Sequence, residues 1–319
     1  MAAAAVQAGK KLRPHAKAHK CPEIAKRQIA LGACGICVAT VAEAELMARA
    51  GIADLLLTSP LADPNKMARL VATGAIAAVD NIRQVELYQE AARAANTPLA
   101  MVIDLDVGDH RTGTASLEQT MEIVQAIERA SHLWLRGVQA YSVAGSHEKD
   151  IDERRRICAA TFAVAGEARA EMARRGVRTD MATGGSTGTW DVDLALTEMT
   201  ELQAGSYAMM DIAYRRLGID FERAMTVLAT VISANHADFV TVDAGFKAFA
   251  TDRPFGPELV SLTANYRWGG DEFGYVDSNK LRLGDKIEFD PPHCDPTANL
   301  YDRIYVCRGI EVEAIWPIK

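Results

Sequence analysis

Three short stretches carry the side chains that could do chemistry. Residues 11–20, "KLRPHAKAHK", set two imidazoles among lysines and an arginine. Residues 183–189, "TGGSTGT", are small, and their backbone amides could surround a phosphate. Residues 291–296, "PPHCDP", place an imidazole two residues from a carboxylate, a pair that suits Mn²⁺, Zn²⁺ or Co²⁺. Each pattern alone is weak, because a solvated basic strand, a plain turn and chance spacing also explain them.

The first stretch has an alternating pattern. If its backbone is extended, every second side chain shares a face, and one face would carry Arg13, His15, Lys17 and His19. Cations crowded on one face repel each other and lose hydration, a cost that an anionic ligand would offset. A lysine amine on that face could attack a carbonyl carbon. In "PPHCDP" the same period places His293 and Asp295 on one face and Cys294 on the other.

Composition excludes several classes of protein. The 319 residues carry a net charge of −7, which argues against a nucleic-acid partner. No apolar run reaches the roughly 18 residues that span a bilayer. The Ala-rich start lacks the order of a secretory signal and is typical of the end of a helix that stops at Gly9. The six cysteines are scattered, and the lone "CGIC" at residues 34–37 is predicted to hold small buried side chains in a strand. Scattered, unpaired cysteines are consistent with a protein of the reducing cytoplasm.

Strand and helix patterns alternate over the first two thirds of the chain. Longer Ala-, Glu- and Arg-rich stretches, such as residues 41–52, 115–130 and 153–176, have helical spacing. Strands alternating with helices imply parallel pairing. Eight such units predict a (β/α)8 TIM-type barrel. A doubly wound sheet is the alternative, but the sequence lacks a clear dinucleotide-binding fingerprint. The predicted strands are residues 12–18, 35–40, 54–60, 75–80, 100–106, 135–141, 179–185 and 201–207.

The pattern changes after about residue 217, where short strands are separated by turn signals. Residues 1–218 are therefore predicted to form the barrel, and residues 219–319 a smaller all-β domain. In the second domain, strands are predicted at residues 225–233, 238–250, 283–292, 303–309 and 311–319.

The barrel geometry relates the first two stretches. Chemistry in such barrels gathers at the carboxyl ends of the strands, and phosphate often binds after strands seven and eight. Strand one would carry Lys17, and strands seven and eight would end in "TGGSTGT" and "QAGSYAMMD". A lysine that holds a phosphate-bearing aldehyde indicates pyridoxal phosphate chemistry.

Several motifs resemble one enzyme family in the same order. "RPHAKAHK", "VGDHRTG", "GVQAYS", "TGGSTGT", "ELQAGSYAMMD", "VDAGFKA" and "PPHCDPTANLYD" resemble the D-threonine aldolase and D-serine dehydratase group, which are fold-type III pyridoxal phosphate enzymes with an alanine-racemase-like barrel. The resemblance implies that Lys17 forms the Schiff base and that Arg111 and Tyr141 lie beside the cofactor. It implies a phosphate site of Gly184, Gly185, Ser186, Gly205, Ser206 and Tyr207. His19 is a candidate proton carrier, and His15 is predicted to be a hydrogen-bonded wall residue.

The resemblance also implies the metal and the reaction. The group's aldolases carry His-x-Asp where its dehydratases carry His-x-Cys, so His293 and Asp295 indicate a metal-activated aldolase, with Mn²⁺ the first choice. Such an enzyme cleaves the Cα–Cβ bond of a D-3-hydroxy amino acid to glycine and an aldehyde. The alternatives are a D-serine or D-threo-3-hydroxyaspartate dehydratase and a non-catalytic pyridoxal phosphate carrier.

The resemblance further implies a homodimer in which the β domain of one subunit closes the active site of the other. Two departures stand out. Family members begin earlier, with a strand and a helix that precede the first barrel strand, whereas this sequence starts near the end of that helix. Phe273 stands where the family commonly carries histidine.

Overall fold

The computed structural model describes residues 1–318, so the last residue of the predicted strand 311–319 lies outside the described residues. The chain divides into two compact units, Met1–Gly205 and the residues from Ser206 onward. This division falls earlier than residue 218, where the sequence pattern changes. Among residues 1–318, no helix has the length and apolar character that crossing a membrane requires.

The first unit alternates strands and helices as predicted. Its strands are β1 (Lys11–Leu12), β2 (Ile36–Val38), β3 (Leu55–Leu57), β4 (Ile76–Val79), β5 (Leu99–Leu105), β6 (Leu133–Ala140), β7 (Met181–Gly184) and β8 (Glu201–Leu202). Its helices are α1 (Ala2–Gln7), α2 (Pro22–Ala30), α3 (Val41–Arg49), α4 (Pro64–Thr73), α5 (Ile82–Ala94), α6 (Leu117–Arg129), α7 (Val143–His147), α8 (Ile151–Arg174) and α9 (Trp190–Asp193). A strand is found at each of the eight predicted places, and the three helices named above are confirmed. The first and last strands are much shorter than predicted, because residues 16–18 and 206–208 are 3₁₀ turns.

The eight strands form one parallel sheet in the order β1-β8-β7-β6-β5-β4-β3-β2. The two ends of this order meet through backbone hydrogen bonds. The amides of Cys34 and Cys37 donate to the carbonyl oxygens of Leu12 and Pro14, each at 2.8 Å. The sheet therefore curls on itself, and the (β/α)8 barrel is confirmed in place of a doubly wound sheet.

Local signals place the helices. Thr40 and Ser116 cap α3 and α6 by accepting backbone N–H groups in their first turns. Pro64 opens α4, and Gly74 closes it with a φ of 70°, a conformation that favours glycine. The six cysteines are free thiols. Cys37 is buried in β2 as predicted, whereas Cys34 precedes the strand and is only partly buried.

A buried ion pair crosses the barrel interior. The side chain of Arg13, just after β1, is 1% exposed, and Nε donates to Oε1 of Glu201 on β8 at 2.8 Å. Its Nη2 donates to Glu201 Oε2 and to Asp54 Oδ2, both at 3.2 Å. Glu201 Oε1 also accepts from Thr183 Oγ1 at 3.0 Å. Because both ions are multiply hydrogen-bonded, they satisfy each other where water cannot.

The second unit is mainly antiparallel sheet. Its strands are β9 (Val227–Ser233), β10 (Val240–Val242), β11 (Glu258–Leu259), β12 (Tyr266–Trp268), β13 (Gly274–Val276), β14 (Lys286–Asp290), β15 (Arg303–Arg308) and β16 (Glu311–Pro317). Six of them pair in the order β11-β14-β9-β10-β13-β12, while β15 and β16 form a hairpin. Two short helices, α10 (Ile212–Arg215) and α11 (Cys294–Ala298), accompany them. The predicted all-β domain is confirmed, although the sequence pattern did not indicate β11, β12 or β13.

The interior of the second unit is aromatic and β-branched. Phe249 and Phe289 are fully buried, and their ring centroids lie 5.7 Å apart in an edge-on arrangement. Tyr266 packs edge-on against both rings and donates its hydroxyl to the carbonyl oxygen of Ala244. Valines from β9, β10 and β13 fill the remaining space. These contacts give the unit its own core.

We expect Glu201→Gln to lower the free energy of unfolding by about 3 kcal/mol, because it leaves the Arg13 cation buried beside a neutral amide. A lower urea midpoint in far-ultraviolet circular dichroism measures the loss. Glu86→Gln removes the exposed ion pair with Arg83 at 2.7 Å and is the matched control. Equal midpoints for the two variants would show that the buried pair does not stabilise the barrel.

Candidate active site

The backbone of residues 11–20 is extended only as far as His15, which forms a parallel bridge with Cys37 beyond the end of β1. Ala16–Ala18 then form a 3₁₀ turn. The expected division into two faces is therefore wrong: Arg13, His15 and His19 are buried, and only Lys17 is exposed. Ala16 and Ala18 are fully buried on either side of it. The turn thus presents one lysine to solvent at the carboxyl end of β1.

His15 holds the turn in place. Its Nδ1 accepts from the backbone N–H of Lys17 at 3.4 Å, and its Nε2 lies 3.1 Å from Thr58 Oγ1. Nδ1 is thus an acceptor, which assigns the proton to Nε2 and makes the ring neutral. Burial lowers the pKa of His15 well below its usual value, and the charges of Lys17, His19 and Arg111 lower it further. His15 is a hydrogen-bonded wall residue, as predicted.

The neighbours of His15 are the predicted site residues. His19 is fully buried, and its Nδ1 accepts from the amide of Cys21 at 3.0 Å. Because Lys17, His19 and Arg111 all act on the His15 ring, the structure brings them together from two distant parts of the sequence. Lys20 points elsewhere, and its amine is 3.8 Å from Glu43 Oε1.

Arg111 lies over the ring of Tyr141, with 4.8 Å between the guanidinium carbon and the ring centroid. Asp109, two residues before Arg111, does not form an ion pair with it. Its carboxylate instead accepts from Ser142 Oγ at 3.3 Å and from the backbone N–H of Val143. Asp109 thereby joins the loop that carries Arg111 to the loop that carries Tyr141.

A buried carboxylate holds the other end of the Arg111 loop. Thr112 Oγ1 donates to Asp104 Oδ2 at 2.7 Å, and Gln139 Nε2 donates to Asp104 Oδ1 at 2.8 Å. Burial raises the pKa of Asp104, and these two hydrogen bonds oppose the rise. Arg111 is therefore carried on a segment fixed on both sides.

The glycine-rich loop follows β7. Gly184 packs so closely on β6 that a Cβ would lie 1.7 Å from the carbonyl oxygen of Ala140. Gly185 has a φ of 73°. The loop uses several of its own donors: the Ser186 amide donates to Thr189 Oγ1 at 3.0 Å, and the Gly188 amide donates to Ser186 Oγ at 3.1 Å. These two amides therefore have partners within the loop, and the prediction of a phosphate site rests on the other residues of the stretch.

Gly205 ends the first unit, and a Cβ there would lie 2.5 Å from the carbonyl oxygen of His15. In the second unit, Tyr207 packs beside Phe221 with 5.8 Å between ring centroids. Ser206 is buried, and its hydroxyl donates to Asp295 Oδ1 at 2.8 Å. A residue predicted for phosphate thus contacts one predicted for metal.

The predicted metal residues lie at the start of α11 rather than on a strand. His293 is the extended N-cap, but Cys294 and Asp295 are helical, so the argument from alternating faces is wrong here. His293 Nδ1 lies 2.7 Å from Asp252 Oδ2. Such a carboxylate fixes the tautomer that offers Nε2 to a metal. Within residues 1–318, no group of three or more His, Cys, Asp or Glu side chains is arranged to hold an ion.

Two family models match this chain, one in each of its two parts. Residues 1–213 match the model described as the alanine racemase N-terminal domain. The chain belongs to this family. Its members are pyridoxal phosphate enzymes of fold type III. Residues 224–307 match the model of a D-serine dehydratase-like domain.

Similar proteins extend over nearly the whole chain. D-threonine aldolase of an Arthrobacter species is 36% identical, over 97% of this chain and 84% of that protein. The 3-hydroxy-D-aspartate aldolase of Paracoccus denitrificans (strain Pd 1222) is 33% identical, over 98% and 85%. The crystal structure of D-threonine aldolase from Filomicrobium marinum superimposes with a TM-score of 0.95 at 34% identity, covering 100% of this chain and 89% of that one.

Sequence reasoning missed the acids that hold the candidate residues. No sequence motif indicates the roles of Asp109, Asp193 or Asp252. Asp252 lies 41 residues before His293, so spacing carried no signal. Asp193 follows Thr189 by four residues, a spacing that brings side chains together in a helix and was the one usable hint.

We expect Asp109→Ala to release the Arg111 loop, because the Val143 amide loses its acceptor. Loss of one hydrogen bond of about 1 kcal/mol should speed exchange of that amide about fivefold. Hydrogen–deuterium exchange of peptides covering residues 106–113 and 141–147 measures it. Asp152→Ala, which removes only an exposed ion pair with Arg155, is the control. Unchanged exchange in both peptides would contradict the assigned role of Asp109.

Proposed function

We propose that this protein is a pyridoxal phosphate-dependent aldolase that cleaves D-3-hydroxy amino acids to glycine and an aldehyde. The observation that carries the proposal is Lys17, the one exposed side chain of a 3₁₀ turn at the carboxyl end of β1. Its position in a barrel of a pyridoxal phosphate family, with aldolases among its relatives, supports this reading.

The candidate residues fit the cofactor. The Lys17 amine is accessible to an aldehyde, and the turn that carries it is fixed by His15. Arg111 and Tyr141 form a flat cationic surface suited to an aromatic ring that bears an oxygen anion. We assign Gly184, Gly185, Ser186, Gly205, Ser206 and Tyr207 to the phosphate of the cofactor.

Each residue has a defined task in the reaction. The bound cofactor supplies an electron sink for the electrons of the broken Cα–Cβ bond. Lys17 would hold the cofactor through its amine, and Arg111 would orient its ring. His19, buried near Lys17, is the candidate carrier for the proton that returns to Cα. The neutral ring of His15 keeps the turn rigid, because it donates to Thr58 while accepting from the Lys17 amide.

We assign the divalent metal to His293 and Asp295. Two protein ligands suit an ion such as Mn²⁺ that keeps positions for water and for a substrate oxygen. A cation held there would supply Lewis acidity, which lowers the pKa of a nearby substrate hydroxyl group. Asp252 orients His293, and Ser206 orients Asp295 through the hydrogen bond to Oδ1.

A dehydratase is the second candidate, because residues 224–307 match a D-serine dehydratase-like domain. The two reactions differ in the bond that breaks at the β-carbon. Cleavage of Cα–Cβ releases glycine and an aldehyde, whereas loss of the hydroxyl releases a 2-oxo acid and ammonia. The aspartate at residue 295 favours the aldolase. We also propose a cytoplasmic homodimer, which sedimentation analysis of the purified protein would test.

We expect the purified protein with pyridoxal phosphate and Mn²⁺ to convert D-threonine to glycine and acetaldehyde. D-3-hydroxyaspartate should give glycine and glyoxylate. D-phenylserine and D-serine are assayed as the other two substrates. Product analysis decides the reaction. A 2-oxo acid with ammonia, formed without glycine, would establish the dehydratase instead.

Lys17 provides the matched control for this assay. Borohydride reduction followed by peptide mapping should label Lys17, and Lys17→Ala should abolish turnover. Lys20→Ala, which removes the contact with Glu43, should retain it. A label on another lysine would refute the assignment of Lys17.

We expect Asp252→Asn to raise the Mn²⁺ concentration for half-maximal activity at least about tenfold, because it weakens the orientation of His293. Activity at saturating Mn²⁺ should recover. Calorimetric titration with Mn²⁺ checks the affinity directly. Asp271→Asn, which alters an exposed pair with Lys247, is the control. Unaltered Mn²⁺ affinity in Asp252→Asn would remove the support for a metal at His293.

A further inference from the structure

A carboxylate lies directly behind the glycine-rich loop. Asp193, the last residue of α9, is 1% exposed. Its Oδ2 accepts from Thr189 Oγ1, and a Cβ on Gly185 would lie 2.3 Å from the same oxygen. The proposed aldolase mechanism gives this acid no task, yet it is buried within the segment assigned to the anionic phosphate.

Thr189 connects Asp193 to Ser186. Thr189 Oγ1 accepts from the Ser186 amide at 3.0 Å and lies 3.1 Å from Ser186 Oγ. Ser186 Oγ accepts from the Gly188 amide at 3.1 Å. Each hydroxyl has one hydrogen to donate and two lone pairs to accept with, so the hydrogen positions in this relay depend on one another.

We propose that Asp193 is a positioning residue that sets, through Thr189, whether the Ser186 hydroxyl can donate a hydrogen bond to the phosphate of the cofactor. The inference rests on the proposed function, because it takes the ligand of this loop to be the phosphate of pyridoxal phosphate.

When Asp193 is ionised, the hydroxyl hydrogens of Thr189 and Ser186 both point toward it. A carboxylate only accepts, so the Thr189 hydrogen is committed to Asp193. Thr189 Oγ1 can then only accept from Ser186, and the Ser186 hydrogen turns toward it. The Ser186 oxygen presents a lone pair to a phosphate, and the two repel.

With Asp193 protonated, the relay reverses. The carboxylic acid donates to Thr189, and the Thr189 hydrogen turns to Ser186 Oγ. Ser186 Oγ then accepts twice, from Gly188 and from Thr189, and its hydrogen is available to donate to an anion. Every donor and acceptor of the relay is satisfied when a phosphate is bound.

The surroundings of Asp193 place this change near neutral pH. Burial raises its pKa to about 7, hydrogen bonds from Thr189, Cys158 and the Ser186 backbone oppose the rise, and the charge of Asp191 adds to it. Burial also raises the pKa of the Cys158 thiol on α8, which is therefore neutral. Arg154, also on α8, donates to the carbonyl oxygens of Glu148 and Gly188. A phosphate dianion nearby would favour protonated Asp193 further.

The test uses pyridoxine 5′-phosphate, which carries the phosphate but no aldehyde and so cannot react with Lys17. Calorimetry gives its dissociation constant between pH 6 and pH 8.5 for the protein and for Asp193→Asn. The amide of the variant can donate to Thr189 at every pH. We expect the two proteins to bind the ligand with equal affinity at pH 6. At pH 8.5 the variant should bind it about tenfold more tightly, which corresponds to one charge-assisted hydrogen bond. The titration of the ligand itself is common to both and cancels.

Two further measurements keep the test decisive. Ser186→Ala in the otherwise unchanged protein should weaken binding about tenfold at pH 6 and hardly at all at pH 8.5. Buffers of different ionisation enthalpy should reveal more proton uptake on binding at pH 8 for the unchanged protein than for Asp193→Asn. Parallel pH profiles, or an equal effect of Ser186→Ala at both pH values, would overturn the role of Asp193.

Failure of the proposed function has a different signature. If Lys17 is labelled and the aldolase products form while the pH profiles coincide, only the role of Asp193 is lost. If pyridoxine 5′-phosphate binds neither protein at any pH and borohydride labels no lysine, the proposed function and this inference are both refuted.

Discussion

The site depends on the hydrogen bond that the Lys17 amide donates to Nδ1 of His15. It caps the 3₁₀ turn that follows the extended backbone at His15, where the pairing with Cys37 ends. Two more extended residues would have put Lys17 in the sheet. The bond requires an unprotonated Nδ1, and burial with nearby positive charge keeps it so. The cationic surroundings therefore both bend the chain and leave one lysine accessible.

A common principle connects the separate parts of the site. Four candidate residues each have a neighbouring group that fixes their segment. The candidates are Lys17, Arg111, Ser186 and His293, and the neighbours are His15, Asp109, Asp193 and Asp252, three of which are carboxylates. Acids accept from backbone amides, hydroxyls and imidazoles alike, so one residue type can orient different groups. The buried pair of Arg13 and Glu201 fixes β1 and β8 within the barrel in the same way.

Much of this arrangement could be predicted from sequence, for physical reasons. Buried parallel strands are short apolar runs between helices, and all eight were visible as such. The 3₁₀ turn was not, because Ala16 and Ala18 fit an alternating strand and a buried turn equally well. The missed strands β11, β12 and β13 have two or three residues each and no measurable period. The helix at Cys294 was hidden by the prolines beside it, and Asp109, Asp193 and Asp252 are recognisable only once folding brings distant residues together.

The close approach of Gly205 to the carbonyl oxygen of His15 has a consequence for natural variation. Any side chain there would meet backbone, which cannot move aside as the end of a flexible side chain can. The displacement would pass to the turn that His15 holds. A methyl group at a residue far along the chain from Lys17 would then mimic damage to the lysine itself, and a genetic screen would group the two positions as one functional unit.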